Sequence, residues 1–176
     1  MFDKRRISVF FAVAALILAG PASVLADDAE PDSASTHMLQ AEVALQADHY
    51  LRAAQEYRKA AELSEDADIA RRATRTAFGY GLNDEALLAA QRWLELDSDS
   101  DEALAYVSQL QLRVGKLREA RDGFRKLIES GSNPPDQQLL SLMAGFADED
   151  PENVDKLMRM LAKPYQDSAL ANFAVA

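Results

Sequence analysis

Positions 53, 57 and 60 of this chain read Ala, Tyr, Ala; 33 residues later the same places hold Ala86, Ala90 and Trp93, and 34 beyond those Ala120, Phe124 and Leu127. The register extends upstream. Asp48, Gly81 and Gly115 share a turn position, and Ala41, Thr74 and Ser108 share a small-residue position before it. Within each copy the apolar places are three and four apart, which puts them on one face of an α-helix. Such a face is too thin to fold alone, so each copy must bury it against the next, and the chain is constrained to a stacked array of helical units.

The order small, turn, small, aromatic, small resembles the tetratricopeptide repeat, a helix-turn-helix unit of about 34 residues. The resemblance covers three units, near 34–66, 67–100 and 101–133, and residues 134–166 fit a fourth, degenerate one. The expected fold is all-α: an α-solenoid over 37–166 that follows a signal peptide. The third unit matches best, with Leu104, Val107, Ser108, Gly115, Leu117, Ala120, Phe124 and Leu127. The first has Asp48 for the turn glycine and His37 for a large residue near its start; the second has Ala90 and Trp93 where an aromatic and a small residue are usual. The small residues should let two antiparallel helices approach, while Tyr57, Trp93 and Phe124 fill the space between units.

The chain begins with Lys4, Arg5 and Arg6, a 14-residue apolar run from Ile7 to Gly20, Pro21, and a small-residue site ending at Ala26. That is the layout of a secretory signal peptide, 1–26, cleaved after Ala26. The run is shorter than the roughly 20 residues of a membrane-spanning helix. The paired arginines also occur in twin-arginine leaders, but the general secretory route is the preferred reading. There is no cysteine, so the expectation is no disulfide, no thiolate chemistry and no lipid anchor on a soluble, periplasmic product. Cleavage removes Asp3 with the three basic residues, leaving 16 basic and 28 acidic side chains, a net charge of −12. That sign argues against nucleic acid or anionic lipid as the main partner.

Residues 27–36, "DDAEPDSAST", are acidic and aperiodic and read as a flexible N-terminus. Asn133-Pro134 and Asp150-Pro151 each pair an N-cap type with proline at the first helical place. Val154, Leu157, Met158 and Leu161 form an i, i+3, i+4, i+7 stripe that Pro164 should end. Residues 167–176 start with a capping type, Asp167 or Ser168, and then run apolar without a polar face, as the first helix of a further, truncated repeat would.

The chemistry of the side chains points away from catalysis. His37 and His49 stand 12 apart, about 18 Å along a helix, too far to share a metal. No nucleophile–base set, phosphate loop or metal motif is present. The acidic run Asp148-Glu149-Asp150 reads as loop and cap. We therefore expect no enzyme, no cofactor and no metal.

The tetratricopeptide resemblance implies a groove lined by the first helix of each repeat. Carried over position by position, the lining is Met38, Glu42, Leu45 and Gln46, then Asp68, Arg71, Arg75 and Phe78, then Ala105, Gln109, Leu112 and Arg113. Of these, Glu42, Gln46, Arg71, Arg75, Phe78, Gln109 and Arg113 are the partner-binding candidates. Arg71 and Arg75, i and i+4 on one face, with Arg113 on the next helix, would form a cationic site for a carboxylate or an acidic segment; Asp68 is placed to pair with Arg71 or Arg72. The carboxylate clamp of chaperone-binding members is not matched, since Met38 and Glu42 stand at its Lys and Asn positions. The leader and the stretch after it are similar to exported tetratricopeptide proteins of Gram-negative bacteria, among them the lipoprotein adaptor of a periplasmic carboxyl-terminal processing protease. The implied function is a non-catalytic scaffold or adaptor that binds a protein or peptide partner, in cell-envelope maintenance or proteolysis. Two alternatives stand beside it: the helical superstructure of a larger, peptidoglycan-acting enzyme, and a truncated fragment without function.

Overall fold

The computed structural model describes residues 32–174. The signal-peptide reading, residues 27–31 and the last two residues lie outside the described residues. Within them the chain is all-α: α1 (Ala34–Gln46), α2 (Tyr50–Glu62), α3 (Ala67–Gly79), α4 (Asn83–Leu96), α5 (Asp101–Arg113), α6 (Leu117–Ser130), α7 (Pro135–Gly145), α8 (Pro151–Ala162) and α9 (Ala169–Ala174), with a 3-10 turn at Lys163–Tyr165. Helix α1 starts inside the segment expected to be flexible, because the Ser33 hydroxyl accepts from the Thr36 N–H and nucleates the first turn. No helix of the described residues is long and apolar enough to cross a membrane.

Two kinds of turn alternate. Inside each of the first three units the turn is closed by backbone: Asp48, Gly81 and Gly115 have φ of 56°, 69° and 76°. The next N–H reaches back five residues, His49 to Ala44 at 2.9 Å, Leu82 to Ala77 at 2.9 Å and Lys116 to Gln111 at 2.8 Å. This is the left-handed C-terminal cap that glycine favours. Between units a side chain caps instead: Asp66 accepts from the Asp68 N–H at 2.9 Å and Ser100 from the Ala103 N–H at 3.2 Å.

Consecutive helices pack as hairpins, α1 on α2, α3 on α4 and α5 on α6, and each hairpin packs on the next. The small positions make this possible: Ala41, Thr74, Ser108, Ala53, Ala86 and Ala120 are all fully buried. Tyr57 is also fully buried, in a cluster with Ala41, Ala70, Ala73 and Trp93, so it joins the first unit to the second. Trp93 lies 5.9 Å, centroid to centroid, from Tyr106 of the third unit. The second unit thus carries its aromatic one helical turn beyond Ala90, in the core between the first unit and the third. The stacking of hairpins is an α-solenoid.

The fourth unit departs from the pattern. A further shift of 34 places Leu142 where Ser108 was, Val154 where Ala120 was and Glu149 where Gly115 was. Two bulky residues at the point of closest approach hold the helices apart, and a glutamate does not favour the left-handed turn. Accordingly α8 packs on α6 more than on α7, and α9 packs back on α7. Leu157, Met158 and Leu161 of α8 join Phe124 and Ile128 of α6 in one core, with Phe146 edge-on to Phe124 at 5.2 Å. Asp150 caps α8 through the Asn153 N–H, with Pro151 at the first place, as the sequence predicts. Asn133 does not cap α7; the helix begins one residue later, after Pro134. Ser168, rather than Asp167, caps α9, its hydroxyl accepting from the Ala171 N–H.

Candidate functional site

The first helices of the three regular units, α1, α3 and α5, are joined on one face by long side chains. Between α1 and α3, Arg72 pairs with Glu42, which also accepts from the Tyr57 hydroxyl at 2.5 Å. The Arg72 guanidinium lies 5.2 Å from the Tyr57 ring centroid. Burial, reinforced by the hydrogen bond to Glu42, pushes the Tyr57 phenol up to about 12, so the hydroxyl is a fixed donor. Between α3 and α5, Arg75 pairs with Glu102 at 2.5 Å and Phe78 meets Tyr106 edge-on at 5.2 Å.

At the far end of this face stands Arg113. Its guanidinium carbon is 4.3 Å from the Phe78 ring centroid, a cation–π contact. Its Nε is 2.9 Å from each carboxylate oxygen of Glu149, its Nη2 is 2.8 Å from Oε1, and the Gln109 amide donates to the same oxygen at 2.6 Å. The Glu149 side chain is 3% exposed, so this is a desolvated, fully satisfied carboxylate.

Of the candidates, Glu42 contacts Arg72 and Tyr57, Arg75 contacts Glu102, Phe78 contacts Tyr106 and Arg113, and Gln109 and Arg113 meet at Glu149. Gln46 is exposed at the end of α1. Arg71 pairs with Asp68 of its own helix at 2.9 Å, and it is Arg72 that crosses to α1. Adjacent residues on a helix point about 100° apart, so the choice between them depends on how α3 is rotated against α1. Leu112 is not a groove residue: it is 1% exposed, in the core with Ala120 and Phe124. Leu45 is half-buried against the cluster that holds Tyr57. Arg71, Arg75 and Arg113 do not make one open cationic site, because each already holds a carboxylate. Met38 and Ala105 are half-buried, and neither takes part in these pairs.

Sequence reasoning missed Arg72, Glu102, Tyr106 and Glu149. Glu102 and Tyr106 carried a usable signal, since they stand i, i+4 on the helix that holds Gln109 and Arg113. Glu149 was legible only as a turn residue. Among the described residues no group of three or more His, Asp or Glu side chains is placed to hold a metal ion.

The fold and this face define an all-α helical-repeat solenoid with a band of charged and aromatic side chains along its first helices. No family model matches the sequence, and no curated protein matches it. Among solved structures the chain is similar to the crystal structure of MamA protein, at 14% identity over 81% of this chain and 86% of that one, with a TM-score of 0.48.

Proposed function

We propose that this protein is a tetratricopeptide-type scaffold of the periplasm that binds a segment of a protein partner along the α1/α3/α5 face, in cell-envelope maintenance or proteolysis. The observation that carries the reading is the band itself. Glu42, Arg72, Arg75, Glu102, Tyr106, Phe78 and Arg113 bring charge and aromatic surface together across α1, α3 and α5. Such a surface is suited to holding a polypeptide by side-chain hydrogen bonds and ring contacts rather than by a deep cavity. The leader supports export, and the acidic remainder of the chain would steer a partner of mixed charge rather than nucleic acid.

The test is site-specific photo-cross-linking in a Gram-negative host that expresses the full chain with its leader. A cross-linking amino acid at Gln46 or Ala105 reports on the α1/α3/α5 face; one at Leu51 or Leu88, exposed on α2 and α4, reports on the opposite helices. The expected result is a defined protein adduct from the first two positions only, in the osmotic-shock fraction, on a chain that begins at Asp27. Adducts only from Leu51 and Leu88, or a chain retained in the cytoplasm, would sink the reading.

A further inference from the structure

We infer that Glu149 is a built-in competitor: its carboxylate fills a subsite for an acidic side chain of the partner, and the partner gains access by displacing it. The inference deepens the scaffold reading and rests on it.

The first support is position. Glu149 stands 34 residues after Gly115, in the slot where the three regular units close their turn with a left-handed residue. Among the described residues only Asp48, Gly81 and Gly115 adopt positive φ. Glu149 does not, and its turn is closed instead by its own N–H donating to the Phe146 carbonyl at 3.1 Å. What would be the tight turn of a fourth hairpin is opened and swung so that the glutamate side chain enters the face of α5.

The second support is the quality of the fit. Arg113 gives three contacts of 2.8 to 2.9 Å and Gln109 one of 2.6 Å, while the Phe78 ring backs the guanidinium. Neither donor belongs to the segment that carries Glu149; both lie on α5, and the Phe78 ring that backs the guanidinium lies on α3. They form a carboxylate receptor that exists independently of its present occupant.

The third support is that exchange preserves every pairing. Phe146 anchors the turn against Phe124 in the core, so displacement asks only the Glu149 side chain to leave the site while the turn stays in place. Removing a carboxylate from Arg113 and leaving the guanidinium unpaired is costly, but exchanging one carboxylate for another is not, because every donor stays satisfied and Glu149 regains water. Glu149 therefore lowers the affinity for any acidic side chain by the fraction of time it occupies the site, and its loss raises that affinity. We commit to an acidic side chain rather than a chain-terminal carboxylate, because the present occupant is a glutamate side chain reached from a turn.

The test uses the full mature chain and a fluorescent peptide of repeating Glu-Gly-Ser capped at both ends, so that its only anions are side chains. An equivalent Gln-Gly-Ser peptide and an uncapped one are the controls. Glu149→Ala is expected to bind the capped acidic peptide at least about tenfold more tightly than the unmodified chain. The Nε–Hε resonance of Arg113 should leave its paired position in Glu149→Ala and return to it as the peptide is added. Glu149→Gln, which keeps the shape of the turn, should give a smaller gain in the same direction and covers the case in which the alanine variant loosens α7. Adding Arg113→Gln to Glu149→Ala should abolish the gain. The inference is overturned by equal affinity in all variants, by a gain that survives Arg113→Gln, or by a gain seen only with the uncapped peptide. If cross-links form at Gln46 and Ala105 while Glu149→Ala gains nothing, the competitor falls and the scaffold stands. If the peptide results hold but the cross-links map to α2 and α4, the scaffold reading falls alone.

Discussion

His37 and Glu56 clasp α1 to α2: the imidazole Nδ1 lies 2.6 Å from Glu56 Oε2, and Asp32 approaches the other ring nitrogen at 2.5 Å. The hydrogen bonds to Asp32 and Glu56 raise the histidine pKa above its ordinary 6.5. Burial pushes the Glu56 carboxyl up, but hydrogen bonds from His37 and Lys59 outweigh it and hold it below its ordinary 4.5. The residue that departs from the repeat pattern at the start of the first unit thus supplies an ion pair in place of apolar packing.

The pH dependence follows from those directions. The His37 contribution is fully present below about pH 6.5 and is lost as pH rises through the raised folded value; the Glu56 contribution is present above about pH 4.5 and is lost as pH falls through the lowered one. His37→Gln should lower the unfolding free energy by about 1 to 2 kcal/mol near pH 5.5. By about pH 9 the gap should narrow, because the unmodified protein has by then lost the charged imidazole as well. Denaturant titrations across this range read the difference directly, and a gap that stays constant with pH would show that the imidazolium is not the partner.

Asp48 is the one non-glycine residue with positive φ among the described residues, at a place where Gly81 and Gly115 serve the other units. Its side chain accepts from the Tyr50 hydroxyl at 2.7 Å, but that bond is exposed and weak compensation. Asp48→Gly should raise stability by roughly 0.5 to 1 kcal/mol, and Gly115→Ala should lower it by about 1 kcal/mol or more. Thermal melts of the two variants should therefore move in opposite directions.

Gly123 marks the closest approach of α5 and α6. A Cβ there would lie 2.0 Å from Ser108 Oγ and 3.1 Å from Ser108 Cβ, and Ser108 is fully buried. Gly123→Ala should cost about 1 to 3 kcal/mol through overpacking. Adding Ser108→Gly should recover part of that loss, a coupling that a double-mutant cycle measures.

Leu112 and Gln46 were both carried over as groove residues, and their burial predicts different outcomes. Leu112→Ala should cost about 2 to 5 kcal/mol, as a core cavity does. Gln46→Ala should stay within about 0.5 kcal/mol. Equal effects in chemical denaturation would contradict the placement of Leu112 between α5 and α6.

The repeat register was legible in the sequence because it is written in residues with little freedom of role. Only small side chains fit where Ala41, Thr74 and Ser108 meet their partner helices, and a left-handed turn draws glycine to positions 81 and 115. The cap at Asp150 was legible for the same reason, since an aspartate before proline has one favoured local use. The candidate face was proposed by analogy of position; the structure gives the contacts of its members, Phe78 with Arg113 and Gln109 with Glu149 among them.

What the sequence left open was every pairing across units. Whether Arg71 or Arg72 reaches α1, whether Leu112 faces out or in, and where the Glu149 carboxylate goes are set by rotations and spacings between helices far apart in the chain. The sequence by itself determined the all-α array, the identity of its three regular units and the turns that close them, because those follow from local backbone preference and from contacts at a fixed period. The tertiary structure alone decided that the fourth unit opens, that its turn residue crosses to Arg113, and that the arginines are paired. Those outcomes depend on long side chains meeting across packed helices, and neither propensity nor periodicity encodes such distances.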